Sequence, residues 1–450
     1  MRRPQKTNPN AKNCFEEESD VKTRRLFAIL FALMLAFAVF AAGCQQTGDP
    51  AEPGADADAD VNEGPDYDNM TMEELYELAL QETGKITIYS TTADAQAASK
   101  KFARAYPDLA DRVEYIESDT ATVADRIETE HDSGNLNADV LIVKDNSGEI
   151  YHELVQYDYL ESYYPAAACE HIDPSLLEYG MPLFATYSPW YYNTEMFPDG
   201  CPIHTWWDIV QGYNTDTQSY IDAEGNNTQY WTVYTKDITS ASYAALWAQV
   251  IVDGDLMTEQ YEKEFGEPLE FTYHDKLQNV PGMMEFPENN GGVELFWRFT
   301  QMTLTELDDG DQVVNAVDES LNGPTIGLCS GSKLDNVNSG AMINWVTGLE
   351  PYTAFLACNY AYVVSGCDNP AGSRLFIYYM IGGPDGVSGC YDEAFNGIGK
   401  WSVRDDVLFD KTPYTIEEVI LKSPDFEEIY QFYPNVKAYW IQWRGLAPST

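Results

Sequence analysis

Four clusters of hydroxyls, amides and carboxylates have the residue types and spacing to hold a small ligand. Ser90, Thr91 and Thr92 close a short alternating stretch, and Thr239, Ser240 and Ser242 open an apolar helical one. Hydroxyls and free backbone N–H groups at a helix start can hold an anion. Asp94 sits in the first turn after Thr92 and partly neutralises the dipole that an anion needs. No acid follows Ser240, so that start is the better anion cradle. Plain helix capping is the alternative for both, with Thr91 and Asp94 as a capping-box-like pair. Asp145 and Asn146 follow an apolar run, and Glu350 and Tyr352 lie where the chain turns back towards the same region. These ten residues are the candidate ligand-binding set. Removing the Thr239 and Ser240 hydroxyls is expected to weaken binding.

Catalytic patterns are missing. The chain has no H-E-x-x-H, P-loop or G-x-S-x-G motif. Ser330-Gly331-Ser332-Lys333 matches S-x-x-K, but no K-T-G follows. The five histidines, at 131, 152, 171, 204 and 274, show no metal spacing. A binding protein without catalytic residues, resident metal or cofactor is the expectation.

The elements that must position these groups are α/β. Thr71 caps a helix through Ala79, ended by Gly84, and 85–90 alternates as a strand. A helix to about Ala105, a strand over 113–117, a helix over 121–131 and an unbroken apolar strand over 138–143 follow. That order is the βαβ rhythm of a parallel sheet. A second α/β unit has strands at 190–193 and 230–235 and helices starting at Thr205 and running over 242–252. An apolar strand region over 354–364 and a helix over 371–381 come later. In such sheets ligands bind outside the carboxyl ends of the strands, where the candidate residues fall.

The start of the chain reads as an export signal. Arg24-Arg25 precedes the uncharged apolar run Leu26–Ala42, which ends in Ala41-Ala42-Gly43-Cys44. A Cys after small residues resembles the bacterial lipobox, whose Cys is acylated, so a lipid such as palmitate is expected on Cys44. Thr23-Arg24-Arg25-Leu26-Phe27 also resembles a twin-arginine signal, while the apolar run favours the general secretory route. Residues 44–68 are a flexible acidic linker that cannot form a core. Without the 7 basic and 4 acidic residues of the first 43, 19 basic residues face 69 acidic ones. Such a surface excludes nucleic acid. Besides Cys14 and Cys44, six cysteines remain at 169, 201, 329, 358, 367 and 390, an even number that makes disulfides plausible, with connectivity open.

Several segments together resemble bacterial extracellular solute-binding proteins of the ferric-iron transporter type. They are Glu77–Ser90, Ala138-Asp139-Val140, Tyr192-Asn193-Thr194-Glu195 with Thr205-Trp206-Trp207-Asp208-Ile209, Asn369-Pro370-Ala371 through Asp385-Gly386, and Arg404-Asp405-Asp406-Val407. Thr83 between Glu82 and Gly84 is a small departure. The resemblance implies a type II periplasmic-binding-protein-like fold, two lobes with a ligand cleft between them. Lobe 1 is expected over 69–187 with part of about 365–450, and lobe 2 over 188–364. It implies a monomeric receptor on the outer face of the cell membrane, held by its lipid, delivering a solute or ion to an ABC permease. Ferric binding in that family uses adjacent tyrosines, but the pairs Tyr163-Tyr164, Tyr191-Tyr192 and Tyr378-Tyr379 are no more than 31 tyrosines produce by chance. Phosphorylated or carboxylated molecules, ferric complexes and polyamines all stay open as ligands. The alternative is an adhesion or glycan-binding lipoprotein, for which the 60 aromatic residues would form a sugar platform.

Overall fold

The computed structural model describes residues 65–274 and 287–446. The chain divides into two units, Met1–Glu63 and Gly64–Thr450, and the description concerns the second. Cys44, the export signal and most of the linker lie outside the described residues.

Two mixed sheets organise this unit. The first contains β1 (Ile86–Ser90), β2 (Val113–Glu117), β3 (Val140–Lys144), β4 (Leu160–Glu161), β5 (Met181–Thr186), β12 (Ala357–Val364) and β13 (Lys400–Ser402). Its order is β13-β5-β12-β3-β1-β2, with β4 beside β12. The second contains β6 (Trp190–Asn193), β7 (Thr232–Thr235), β8 (Leu304–Glu306), β9 (Thr325–Leu328) and β10 (Ile343–Trp345), ordered β10-β6-β9-β7-β8. A small pair, β11 (Ala354–Phe355) with β14 (Leu421–Lys422), lies apart from both. The chain passes from the first sheet to the second at 187–189 and back at 346–356.

The βαβ start follows the sequence closely. Thr71 and Glu74 form a reciprocal capping box on the Met72–Ala79 helix. Thr92 caps the Ala93–Ala105 helix by accepting from the Asp94 amide, so the capping residue is Thr92 and not Thr91. Helices Thr120–Ser133, Ala241–Val252 and Pro370–Met380 lie within one or two residues of their expected bounds.

Two lobe boundaries need correction. Strand β12 was expected in lobe 2, yet it pairs with β3 and β5 at the centre of the first sheet. An apolar run shows that a strand is buried on both faces but not which sheet receives it. The C-terminal helix Phe426–Arg444, expected with lobe 1, bridges the lobes: Phe426 and Tyr430 pack on Tyr179 and His152 of the first, and Trp440 and Trp443 lie on Phe296, Phe299 and Trp297 of the second. Arg444 also donates to the Thr300 carbonyl at 2.9 Å.

The six cysteines are all free thiols. Cys358 lies inside β12 and Cys367 beyond its far end. Extended backbone rises about 3.3 Å per residue, so the strand separates them far beyond disulfide reach.

The segments that resemble the family's motifs hold the core together. Asp139 accepts from the Thr87 amide at 2.8 Å and the Asn369 amide group at 3.0 Å. Glu82 accepts from the amides of Ala371 and Gly372, at the start of the Pro370–Met380 helix. Asn193 donates to the Asp318 carbonyl, and Thr205 with Asp208 forms a capping box. Arg404 donates to the Gly383 carbonyl and pairs with Asp406.

Candidate functional site

Strand directions place one edge of each sheet at the same gap. In the first sheet that edge carries Ser90, Lys144, Thr186, Ala357 and Lys400. In the second it carries Trp190, Thr235, Glu306 and Leu328. Gly399 of the first edge meets the second directly: a Cβ added there would lie 2.5 Å from Gly331 C and Ser332 N. Beside this contact a hollow of about 520 Å³ opens between Ser332 and Asn338 on one side and Lys400 and Lys411 on the other.

Deeper in the gap lies a cavity of about 10 Å³, lined by Lys144, Asn146, Tyr187, Ser188, Ser242, Leu246 and Phe355 among others. That is room for about one water. Asn146 and Ser242 come from different lobes and meet here, the Asn146 amide donating to Ser242 Oγ at 2.6 Å. Asn146 is 4% exposed, and its Oδ1 has no partner. Lys144 ends β3. Burial pulls its ammonium down to about 8, and no carboxylate reaches it among the described residues. Nearby, Lys400 pairs with Asp94 and Lys333 with Asp311, each at 2.6 Å.

The structure divides the ten expected residues. Asn146 and Ser242 line the cavity. Thr91 is adjacent, its Oγ1 accepting from the Lys144 amide at 3.4 Å. Ser90 is buried and accepts from the Thr92 amide at 3.1 Å, while Thr92 serves as the cap. Asp145 turns into its own loop, accepting from the amides of Gly148 at 2.8 Å and Tyr151 at 3.1 Å. Burial raises its carboxyl to about 7. Thr239 and Ser240 also turn back on themselves, both hydroxyls donating to Asp237 at 2.7 Å. Glu350 and Tyr352 belong to the outer packing of the second lobe. Glu350 pairs with Lys263, and the buried Tyr352 hydroxyl donates to Asp253 at 2.8 Å.

Sequence reading missed Lys144, Tyr187, Ser188 and Phe355. Lys144 had a usable signal: one lysine ends an otherwise apolar strand, directly before Asp145. Tyr187 and Ser188 follow β5, a strand the sequence did not disclose.

Among the described residues one group has the geometry to hold a metal ion, His171, Asp405 and Asp406. It lies beyond the end of β13 opposite the cleft, and Arg404 already pairs with Asp406. The adjacent tyrosines do not converge on the cavity: the buried Tyr191 donates to the Ser330 carbonyl at 2.8 Å, and Tyr378 and Tyr379 sit on the Pro370–Met380 helix.

No family model matches the sequence, and no curated protein matches it. Solved structures do. Iron-bound HitA from Pseudomonas aeruginosa superposes with a TM-score of 0.55 at 12% identity, covering 80% of this chain and 99% of its own. The apo ferric ion-binding protein A of Pasteurella haemolytica gives 0.55 at 13%, covering 80% and 98%. The chain has the type II periplasmic-binding-protein fold. AfuA from Actinobacillus pleuropneumoniae, with fructose-6-phosphate bound, shares this fold with a TM-score of 0.53 at 14% identity, covering 81% and 100%. In a periplasmic-binding-protein fold the gap between the two sheet edges is the ligand cleft, and the Lys144–Asn146–Ser242 cavity lies in it.

Proposed function

We propose that this protein is the solute-binding lipoprotein of an ABC import system, capturing a small solute between its lobes and presenting it to a membrane permease. One observation supports this most: polar groups from both lobes, Asn146 and Ser242, meet in a buried cavity at the carboxyl ends of the strands. A ligand contacted by both lobes favours their closed arrangement. The neighbours named above bind iron and a sugar phosphate, which supports the receptor role and leaves the solute to this chain's own residues. An enzyme is not part of this reading.

The residues divide as follows in this proposal. Residues 1–43 are the export signal, Cys44 carries the lipid, and 44–68 is the linker. Lobe 1 comprises 69–187 with 357–402, lobe 2 comprises 190–345, and the helix Phe426–Arg444 bridges them. No helix of the described residues is long and apolar enough to cross a membrane. In this proposal the lipid on Cys44 tethers the protein to the membrane. Monomeric action on the outer face of the membrane is part of the same proposal. The adhesion alternative gains little from the aromatic residues, since all ten tryptophans are buried and the exposed rings are few, Tyr157, Tyr230 and Phe265 among them.

The receptor reading predicts that the low-molecular-weight fraction of a cell extract raises the melting temperature and lowers the radius of gyration of the purified protein. Small-angle scattering decides it, and a profile unchanged at saturation removes hinge closure. Replacing Cys44 by Ser is expected to move the protein from the membrane fraction to the soluble exported fraction. Retention of the Cys44→Ser variant in washed membranes would show that another segment anchors it.

A further inference from the structure

We propose that a hollow on the first lobe, away from the cleft, binds a small amphipathic organic cation, an ammonium or guanidinium group on a short apolar body. This does not depend on the receptor reading, because no residue lining the hollow lies on the two sheet edges that face each other.

The hollow has a volume of about 630 Å³, within the range of small-molecule sites. Separate segments of lobe 1 enclose it: the Asp68–Glu73 stretch, Ala166 and Ala167 of the Ala166–Cys169 helix, Tyr106, and Tyr378 on the Pro370–Met380 helix. Tyr106 follows the Ala93–Ala105 helix. That helix starts beside the cleft edge at Ser90 and runs about 20 Å away from it.

Tyr378 marks the hollow as more than a surface dent. The residue is 3% exposed, it lines the hollow, and its hydroxyl has no hydrogen-bond partner among the described residues. Buried tyrosines ordinarily place the O–H on a partner. Burial raises its pKa above the usual phenol value, so the hydroxyl is a neutral donor and acceptor. A ligand in the hollow would satisfy it.

The walls fix the sign of that ligand. Asp68, Glu73 and Glu170 line the hollow, and no lysine, arginine or histidine does. None of these three carboxylates has an ion-pair partner among the described residues. Arg374, whose charge reaches Asp68, already pairs with Glu161 at 2.5 Å and donates to the Pro370 carbonyl at 3.0 Å. In a chain with 73 acidic residues against 26 basic ones, unpaired carboxylates are common and make no site by themselves. Here they surround an enclosed volume with an unsatisfied hydroxyl in its wall, where an anion is repelled and a cation attracted.

The remaining walls fix the body. Tyr106 and Tyr378 bring aromatic rings, Met70 and Met72 bring thioethers, and Ala167 and Pro384 add apolar surface. Rings attract cations over their faces, and thioethers adapt to irregular apolar shapes. A bare inorganic cation would leave these contacts unused, whereas an organic amine uses both the charge and the apolar surface.

Titration calorimetry on the full exported chain at about 0.15 M salt tests the proposal. The probes are tyramine, agmatine and putrescine, with 2-phenylethanol, phenylacetate and magnesium as neutral, anionic and inorganic controls. At least one organic cation should bind at a single site, at least about tenfold tighter than every control. Asp68→Asn with Glu170→Gln should lower that affinity at least about tenfold. Glu128→Gln with Glu259→Gln removes the same charge from residues outside the hollow and should change it less than about twofold. Tyr378→Phe leaves the net charge alone and should lower affinity about fivefold without lowering the melting temperature. Scattering should show no compaction with the cation. Binding by none of the three cations overturns the proposal, as does an affinity unchanged in both Tyr378→Phe and the Asp68–Glu170 pair. An equal loss in the control pair would show diffuse attraction to an acidic surface, and compaction would place the cation in the cleft; each overturns it. None of these outcomes touches the receptor reading, which is judged by compaction with cell extract.

Discussion

Replacing Arg298 by Met is expected to destabilise the protein by about 3–5 kcal/mol, because it strands a buried carboxylate. Glu294 is fully buried and Arg298 is 6% exposed, and the guanidinium Nε donates to Glu294 Oε1 at 2.7 Å. Glu294 also accepts from the amides of Thr272 and Tyr273 and from the Thr272 hydroxyl. Arg298 lies over the rings of Trp207, Tyr213 and Tyr261 and donates to the Glu270 carbonyl. The pair thus ties the 270–273 segment to the Gly291–Thr300 helix in the second lobe. Met keeps much of the aliphatic volume and removes only the charge and its donors. Urea unfolding read through tryptophan fluorescence measures the loss. The double variant Glu294→Gln with Arg298→Met should recover most of it, because no charge is then left uncompensated. A single variant within about 1 kcal/mol of the parent would show that the hydrogen bonds from Thr272 and Tyr273 suffice without a counter-ion.

The second large effect is on closure. Gly399 has a φ of +79°, and a Cβ there would meet the backbone of Gly331 and Ser332 at 2.5 Å. Real Cβ atoms do not approach backbone so closely. Gly399→Ala therefore carries two costs with different dependence on conformation. The left-handed backbone costs about 1–2 kcal/mol whether the lobes are open or closed. The clash exists only where the sheet edges meet, so it acts against the closed form alone. Affinity for the natural solute should fall at least about tenfold, since a ligand that needs closure must now overcome the clash. Stability to urea should fall only by the backbone cost. The liganded scattering profile should stay close to the unliganded one. Unchanged affinity together with unchanged compaction would show that this contact is not part of closure.

Much of the architecture was readable from the chain because it is local. The first βαβ run depends on caps and apolar periods within a few residues, and Thr71–Glu74 and Thr205–Asp208 form the boxes their spacing suggests. Strands β5, β9 and β13 and the helix Phe426–Arg444 were not readable. They are short or mixed in pattern and are stabilised by what they pack against. The motifs behind the resemblance proved to be structural: Glu82, Asp139, Asn193, Asn369 and Arg404 all spend hydrogen bonds inside the fold, on backbone groups or on neighbouring side chains such as Arg112 and Asp406. Such residues identify a fold and are silent about its ligand.

The candidate site shows the same division. The rule that ligands lie at strand ends pointed to the edge where Asn146 and Ser242 line the small cavity. It also gathered Asp145, Thr239, Ser240, Glu350 and Tyr352, whose polar atoms the tertiary structure satisfies elsewhere. By itself the sequence determined an α/β order with a hydroxyl-rich helix start, because caps and strands are set by neighbours along the chain, while the two-lobed arrangement was what the resemblance implied. Only the tertiary structure decided which donors remain free, because that depends on whether a partner from a distant segment arrives. Asp237 takes the Ser240 hydroxyl and Asp94 takes Lys400. No carboxylate comes to Lys144 among the described residues, and no spacing along the chain could show that, because a counter-ion would have to arrive from a distant segment.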